Sequence, residues 1–146
     1  MNINKSKALL VFFYILLFAT VSFSQTIGKI YSREDANSLF GNVIESVPIN
    51  QSDLISILNQ TQNYIMFQIN NGELIILGEG RSVLYPIGKT VSSNEVFALV
   101  SKSKVIELLS LGSGNTITLE KRQYYFTVTF GLNTLEDLLW CPPFCP

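Results

Sequence analysis

The dipeptide Asn71-Gly72 constrains this chain more than any other feature. It stands between two apolar segments, Tyr64–Asn70 and Glu73–Leu77. A two-residue hairpin turn needs positive φ at both central positions, which Asn and Gly tolerate, and its twist matches that of paired strands. Alternation in the first segment places Ile65, Phe67 and Ile69 on one face and Tyr64, Met66 and Gln68 on the other. Gly78-Glu79-Gly80 turns the chain again, so Ser82–Tyr85 can add a third strand. A meander of this kind predicts an antiparallel sheet, because parallel neighbours need long crossovers.

The flanking elements are short. Ile27–Tyr31 reads as a strand, followed by a helix over Arg33–Phe40 with Ser32 as N-cap and Gly41 at its left-handed end. Ala36, Leu39 and Phe40 form its expected buried stripe. Asn42–Val47 fits an extended or a helical reading. Gln51–Gln60 predicts a second helix with Leu54, Ile55, Ile57 and Leu58 on its apolar side.

Glu95–Leu111 admits one helix capped by Ser92 and Glu95, or a strand at Val96–Val100 and a helix at Lys104–Leu111. An echo favours the second reading. Ile30-Tyr31-Ser32-Arg33 precedes a helix ending at Gly41, and Leu99-Val100-Ser101-Lys102 precedes one ending at Gly112. The echo hints at an internal duplication. Asn115–Glu120 and Gln123–Phe130 form a last strand pair with Lys121-Arg122 at the connection, and Thr134 with Asp137 caps a short helix through Trp140. The expected fold is α+β, one small domain over residues 25–146, with an antiparallel meander sheet and two or three short helices.

Residues 1–24 read as a signal peptide. Lys5 and Lys7 precede an uncharged run of 16 residues, Ala8–Phe23, and Ser22 and Ser24 put small side chains where a signal peptidase cleaves. The alternative is a retained anchor, although the run is short of the roughly 20 residues that span a bilayer. Cleavage would leave 122 of the 146 residues. Lys5 and Lys7 would leave with the leader, so eight basic residues face eleven acidic ones, a net −3. That weak acidity argues against a nucleic-acid partner. Asn50-Gln51-Ser52 and Asn59-Gln60-Thr61 are glycosylation sequons that matter only in a eukaryotic secretory route.

Catalytic chemistry is narrowed by an absence: the chain has no histidine. Ser-His-Asp and Cys-His machinery and imidazole-based metal sites are excluded. General acid-base work would need a shifted carboxylate or lysine. Gly88-Lys89-Thr90 resembles the end of a phosphate-binding loop, but Val83 stands where the first glycine belongs and Pro86 interrupts it. Glu34-Asp35, Glu79 and Glu136-Asp137 are the carboxylate candidates. Adjacent helical residues diverge by about 100°, so each doublet is better read as charge at a helix start. Ser103 with a neighbouring lysine has no motif behind it. No catalytic, cofactor-binding or metal-binding residue is assigned.

The only cysteines, Cys141 and Cys145, flank Pro142-Pro143-Phe144. In an oxidising compartment a disulfide within the chain is their expected fate, with pairing between chains or free thiols as the alternatives. Bridged Cα atoms lie about 4.4–6.8 Å apart, so the Pro-Pro segment must turn. Trp140 and Phe144 either pack back onto the sheet or form a docking epitope, and the first is preferred because a dense apolar end needs something to hold it.

These features predict a small exported binding or structural module (periplasmic, cell-surface or secreted) that acts through its surface on an unknown protein or small-molecule partner. No cofactor, nucleic acid or membrane enters that reading once the leader is removed. The alternatives are an exported hydrolase using carboxylates or a Ser-Lys pair, and an anchored accessory subunit that keeps its apolar segment.

Overall fold

The computed structural model describes residues 26–145, so the signal-peptide reading lies outside the described residues. Ten strands and three helices follow one another in short steps. They are β1 Lys29–Ser32, α1 Arg33–Phe40, β2 Val43–Asn50, α2 Gln51–Leu58, β3 Tyr64–Asn70, β4 Glu73–Leu77, β5 Val83–Tyr85, β6 Phe97–Ser101, α3 Lys102–Leu111, β7 Thr116–Arg122, β8 Phe126–Phe130, β9 Asn133–Glu136 and β10 Leu139–Cys141. Two antiparallel five-stranded sheets result, ordered β1-β9-β8-β7-β2 and β10-β6-β3-β4-β5. The α+β class and the Asn71-Gly72 hairpin are as expected, with both turn residues at positive φ.

The order strand, helix, three strands occurs twice, as β2-α2-β3-β4-β5 and β6-α3-β7-β8-β9. Each first strand leaves its own unit: β2 pairs with β7, and β6 pairs with β3. That exchange laces the two sheets together. At each corner the first helical N–H donates to the carbonyl just before the neighbouring strand, Gln51 to Asn115 at 2.9 Å and Lys102 to Asn63 at 2.7 Å. Arg33 does the same to Leu132 at 2.8 Å after β1. The echo in the sequence is therefore part of a strand-to-helix corner used three times. Its serines differ in role: Ser32 Oγ accepts the Asp35 amide, whereas Ser101 Oγ accepts the Ile27 amide and ties down the first described residues. The glycines differ too. Gly41 has φ +79°, but Gly112 has ordinary φ and is required because Phe130 fills the space of any Cβ, 2.0 Å away.

The facing sides of the sheets, with α2 and α3, enclose a core of Phe67, Phe126, Phe130, Ile65, Ile117, Leu119, Leu54 and Leu108 among others. Phe67 and Phe126 stack across it with centroids 6.2 Å apart. The far face of the second sheet is also apolar: Met66, Ile75, Leu77, Phe97, Leu99 and Cys141 form a second cluster. This explains the unbroken apolar runs of β4 and β6, since a strand buried on both faces has no polar side.

The far face of the first sheet is polar yet buried. Glu120, Arg122, Thr127, Thr129, Thr134 and Glu136 are all nearly inaccessible. Three local expectations fail here for one reason, which is that strands extend where turns or helices were expected. Lys121-Arg122 belong to β7 rather than to a turn, with Arg122 buried. Residues 133–141 form β9 and β10 rather than a helix, so Glu136-Asp137 lies at no helix start. Sheet pairing to β1, β8 and β6 outweighs the local capping signal. Leu39, expected in the core, is 60 % exposed, because Ala36 is the only buried residue of α1. Ile55 of α2 is likewise exposed.

Candidate functional site

A row of paired residues crosses the inner face of the second sheet: Trp140 opposite Ala98, Ala98 opposite Phe67, Phe67 opposite Ile76. There the β7–β8 connection overhangs from the other sheet, and the two sheets part into a cleft of about 250 Å³. Phe67 and Phe126 line it, with Tyr124, Tyr125, Trp140 and Val96 at its walls. The outer rings remain open to solvent, Tyr124 72 %, Tyr125 38 % and Trp140 42 % exposed.

The polar lining is Gln68, Gln123, Lys121 and Arg122. Both cations are matched by carboxylates: Lys121 Nζ lies 3.8 Å from Glu45, and Arg122 Nη2 lies 2.9 Å from Glu120. Among the described residues no acidic side chain lines the cleft. Gln68 donates its amide N–H to the Val96 carbonyl at 3.0 Å, and its amide oxygen is buried with no hydrogen-bond partner among the described residues. A carbonyl only accepts, so this bond fixes which way the amide faces. Gln123 donates to the Tyr124 hydroxyl at 3.1 Å.

The tail supplies one wall. Cys141 and Cys145 are bridged, with Cα atoms 4.9 Å apart, and the Cys141-Pro142 and Pro142-Pro143 bonds are cis. Alternation in β10 sends Leu139 and Cys141 to the outer apolar cluster and leaves Trp140 on the cleft side. Phe144 is 60 % exposed. The tail is therefore anchored through Cys141 and the pairing of β10, while its two aromatic rings stay available.

Arg81, which no sequence motif marked, fastens this corner. Its guanidinium donates to the carbonyls of Ser92 and Glu95 at 2.9 and 3.0 Å and approaches Cys141 Sγ at 3.4 Å. It also lies over the Phe97 ring, 5.1 Å from the centroid. The only hint in the sequence was its place beside the Gly78-Glu79-Gly80 turn.

The other candidates disperse. Glu34-Asp35 opens α1 as expected, and Glu79 accepts the Asn63 amide. Lys89 of the Gly88-Lys89-Thr90 turn pairs with Glu73. Lys102 and Lys104, beside Ser103, are engaged with Thr61 and Glu107. Among the described residues, no group of three or more Cys, Asp or Glu is placed to hold a metal.

The buried layer under α1 does concentrate carboxylates. Glu120 accepts from Arg122, Thr127 and Thr129 at 2.9, 3.0 and 3.1 Å. Burial pushes the Glu136 carboxyl up to about 7, with neighbouring Asp137 raising it further and the Asp137 amide and Arg122 opposing. The hydrogen bond from Tyr31 to Asp137, 2.7 Å, raises the Tyr31 hydroxyl to about 12, aided by burial and the Asp137 and Glu136 charges. Glu120 and Glu136 lie at most a few per cent exposed, so this layer presents no open pair to a substrate. It ties α1 to the sheet.

The chain matches no protein-family model, no curated protein and no solved structure.

Proposed function

We propose that this protein is a small exported binding module whose ligand enters the cleft between Phe67, Val96, Tyr124, Tyr125 and Trp140. The carrying observation is the convergence of three solvent-open aromatic rings on one concavity beside an unpartnered amide oxygen. Large rings exposed together are costly to leave wet, and concave sites with aromatic walls and a few polar groups are where small ligands bind. The disulfide supports the export half of the reading, since such bonds persist in oxidising compartments. No helix among the described residues is long and apolar enough to cross a membrane.

Amide spectra of the labelled protein, recorded with mixtures of small ring-bearing compounds, test the site. Shifts concentrated at Gln68, Val96, Gln123–Phe126 and Trp140 are expected. Shifts confined to other surfaces, or none at all, refute it. Intact mass of protein recovered from the envelope or medium tests export: a species beginning at Gln25 is expected, and one retaining residues 1–24 revives the anchored reading.

A further inference from the structure

Resting on that cleft as the binding site, we infer that its ligand class is a neutral saccharide and that one sugar ring occupies the space between Phe67, Phe126 and Trp140. Size comes first. At ~30 Å³ per water, 250 Å³ holds roughly eight waters, the room of a single substituted six-membered ring rather than of an extended chain. Charge comes next. Lys121 and Arg122 are each paired with a carboxylate of their own domain, and no acidic group lines the cleft. An anion would have to compete with Glu45 and Glu120, and a cation would find no counter-charge. The ligand is therefore neutral.

The lining then separates a sugar from an aromatic side chain. Tyr124, Tyr125 and Trp140 supply aromatic surface, which packs against the C–H face of a pyranose as readily as against another ring. Around them stand several hydrogen-bonding groups: the Gln68 amide oxygen, the Gln123 amide and the tyrosine hydroxyls. A Tyr or Trp side chain brings one donor, whereas a hydroxylated ring brings donors and acceptors on every edge and can engage several of these groups at once. The buried, unpartnered amide oxygen of Gln68 calls for a donor, which a sugar hydroxyl reaching the foot of the wall supplies.

The test exploits Trp140, the only tryptophan of the chain. Its fluorescence is titrated with neutral oligosaccharides of glucose, galactose, mannose and N-acetylglucosamine, alongside an oligouronate and a tyrosine-containing tripeptide. A saturable change with at least one neutral glycan is expected, weakened about tenfold or more by Tyr124→Ala and by Gln68→Met, with no response to the uronate or the tripeptide. Tyr124→Ala should keep the wild-type unfolding midpoint, since Tyr124 is exposed, while Gln68→Met gives up the bond to the Val96 carbonyl and is titrated well below its own midpoint, where it is folded. Silence toward every neutral glycan, together with a response to the tripeptide, overturns the saccharide and leaves the cleft standing as a site. Preference for the uronate overturns the neutrality argument. Silence toward all probes overturns both the ligand class and the cleft.

Discussion

Replacing Arg122 by Met removes the one group that holds α1 to the sheet by several bonds at once. Its guanidinium donates to Glu120 at 2.9 Å, to Asn37 at 3.1 Å, to Thr127 at 3.2 Å and to the Gly41 carbonyl. Asn37 belongs to α1 and Gly41 ends it, and α1 buries only Ala36. Polar contacts therefore carry more of the attachment than apolar burial does. The Arg122 and Glu120 side chains are 1 % and 3 % exposed, so the substitution leaves a buried carboxylate without its main partner. Breaking such a pair costs about 3–5 kcal/mol. Thr127 and Thr129 still donate to Glu120, and Arg33 lies 4.0 Å away, which places the expected loss near the lower end, about 3 kcal/mol.

With a urea slope of about 2 kcal/mol/M, that loss lowers the midpoint by roughly 1.5 M. Hydrogen exchange should report the loss unevenly. Amides of Arg33–Phe40 should exchange at much lower protection, while those of the Tyr64–Leu77 hairpin fall only by the global amount. Glu120→Gln alone should destabilise less, and the double variant less than the sum of the singles, since the charge left unpaired by one change is removed by the other. A midpoint shift below about 1 kcal/mol with unchanged protection of α1 would refute the reasoning and assign the attachment to Ala36 and Phe40.

Phe67→Ala and Phe126→Ala should each cost about 3–5 kcal/mol in chemical denaturation, and their effects should not add, because the two rings stack on one another. Gly112→Ala should cost about 1–3 kcal/mol, read by thermal unfolding, because Phe130 must vacate its place. Glu136, raised to about 7, is neutral in both folded and unfolded states well below its ordinary range near 4.5, so its stabilising share is complete there and is lost as pH rises toward 7. The loss is on the order of 3 kcal/mol, and Glu136→Gln should flatten that stretch of the stability profile. Cys141→Ser with Cys145→Ser should raise exchange near Trp140 and lower ligand affinity in the cleft while leaving the hairpin protected, since a ring closed over a separation of four residues constrains little else.

Local chemistry in the sequence was enough for the elements that local chemistry controls. The Asn71-Gly72 turn, the Ser32 cap and the alternation of Tyr64–Asn70 specify backbone shapes within a few residues, so those parts were legible. The cysteine spacing likewise allowed only a turned Pro-Pro segment if the bridge was to close. Residues 133–141 show where this fails. Thr134 and Asp137 carry a helix-start signal, but β1, β8 and β6 offer hydrogen-bonding edges that no local window contains. A capping signal is worth about 1 kcal/mol, less than a set of ladder bonds and the burial of Leu135.

Arg122 was misplaced for the same reason. Charge beside a hairpin reads as solvent-facing until a helix from 85 residues away covers it and Glu120 matches it across the sheet face. The cleft is the extreme case. Trp140 and Phe144 stood out as aromatic and stiff in the sequence, but the residues that share the cleft with Trp140, among them Phe67, Val96 and Tyr124, are scattered over the chain. Only the exchange of β2 and β6 between sheets, with β10 added beside β6, sets those rings around one cleft. Composition and short-range pattern decided which segments pair and turn. Long-range pairing decided which faces are covered, because the free energy of covering a face belongs to two distant segments together and to neither alone.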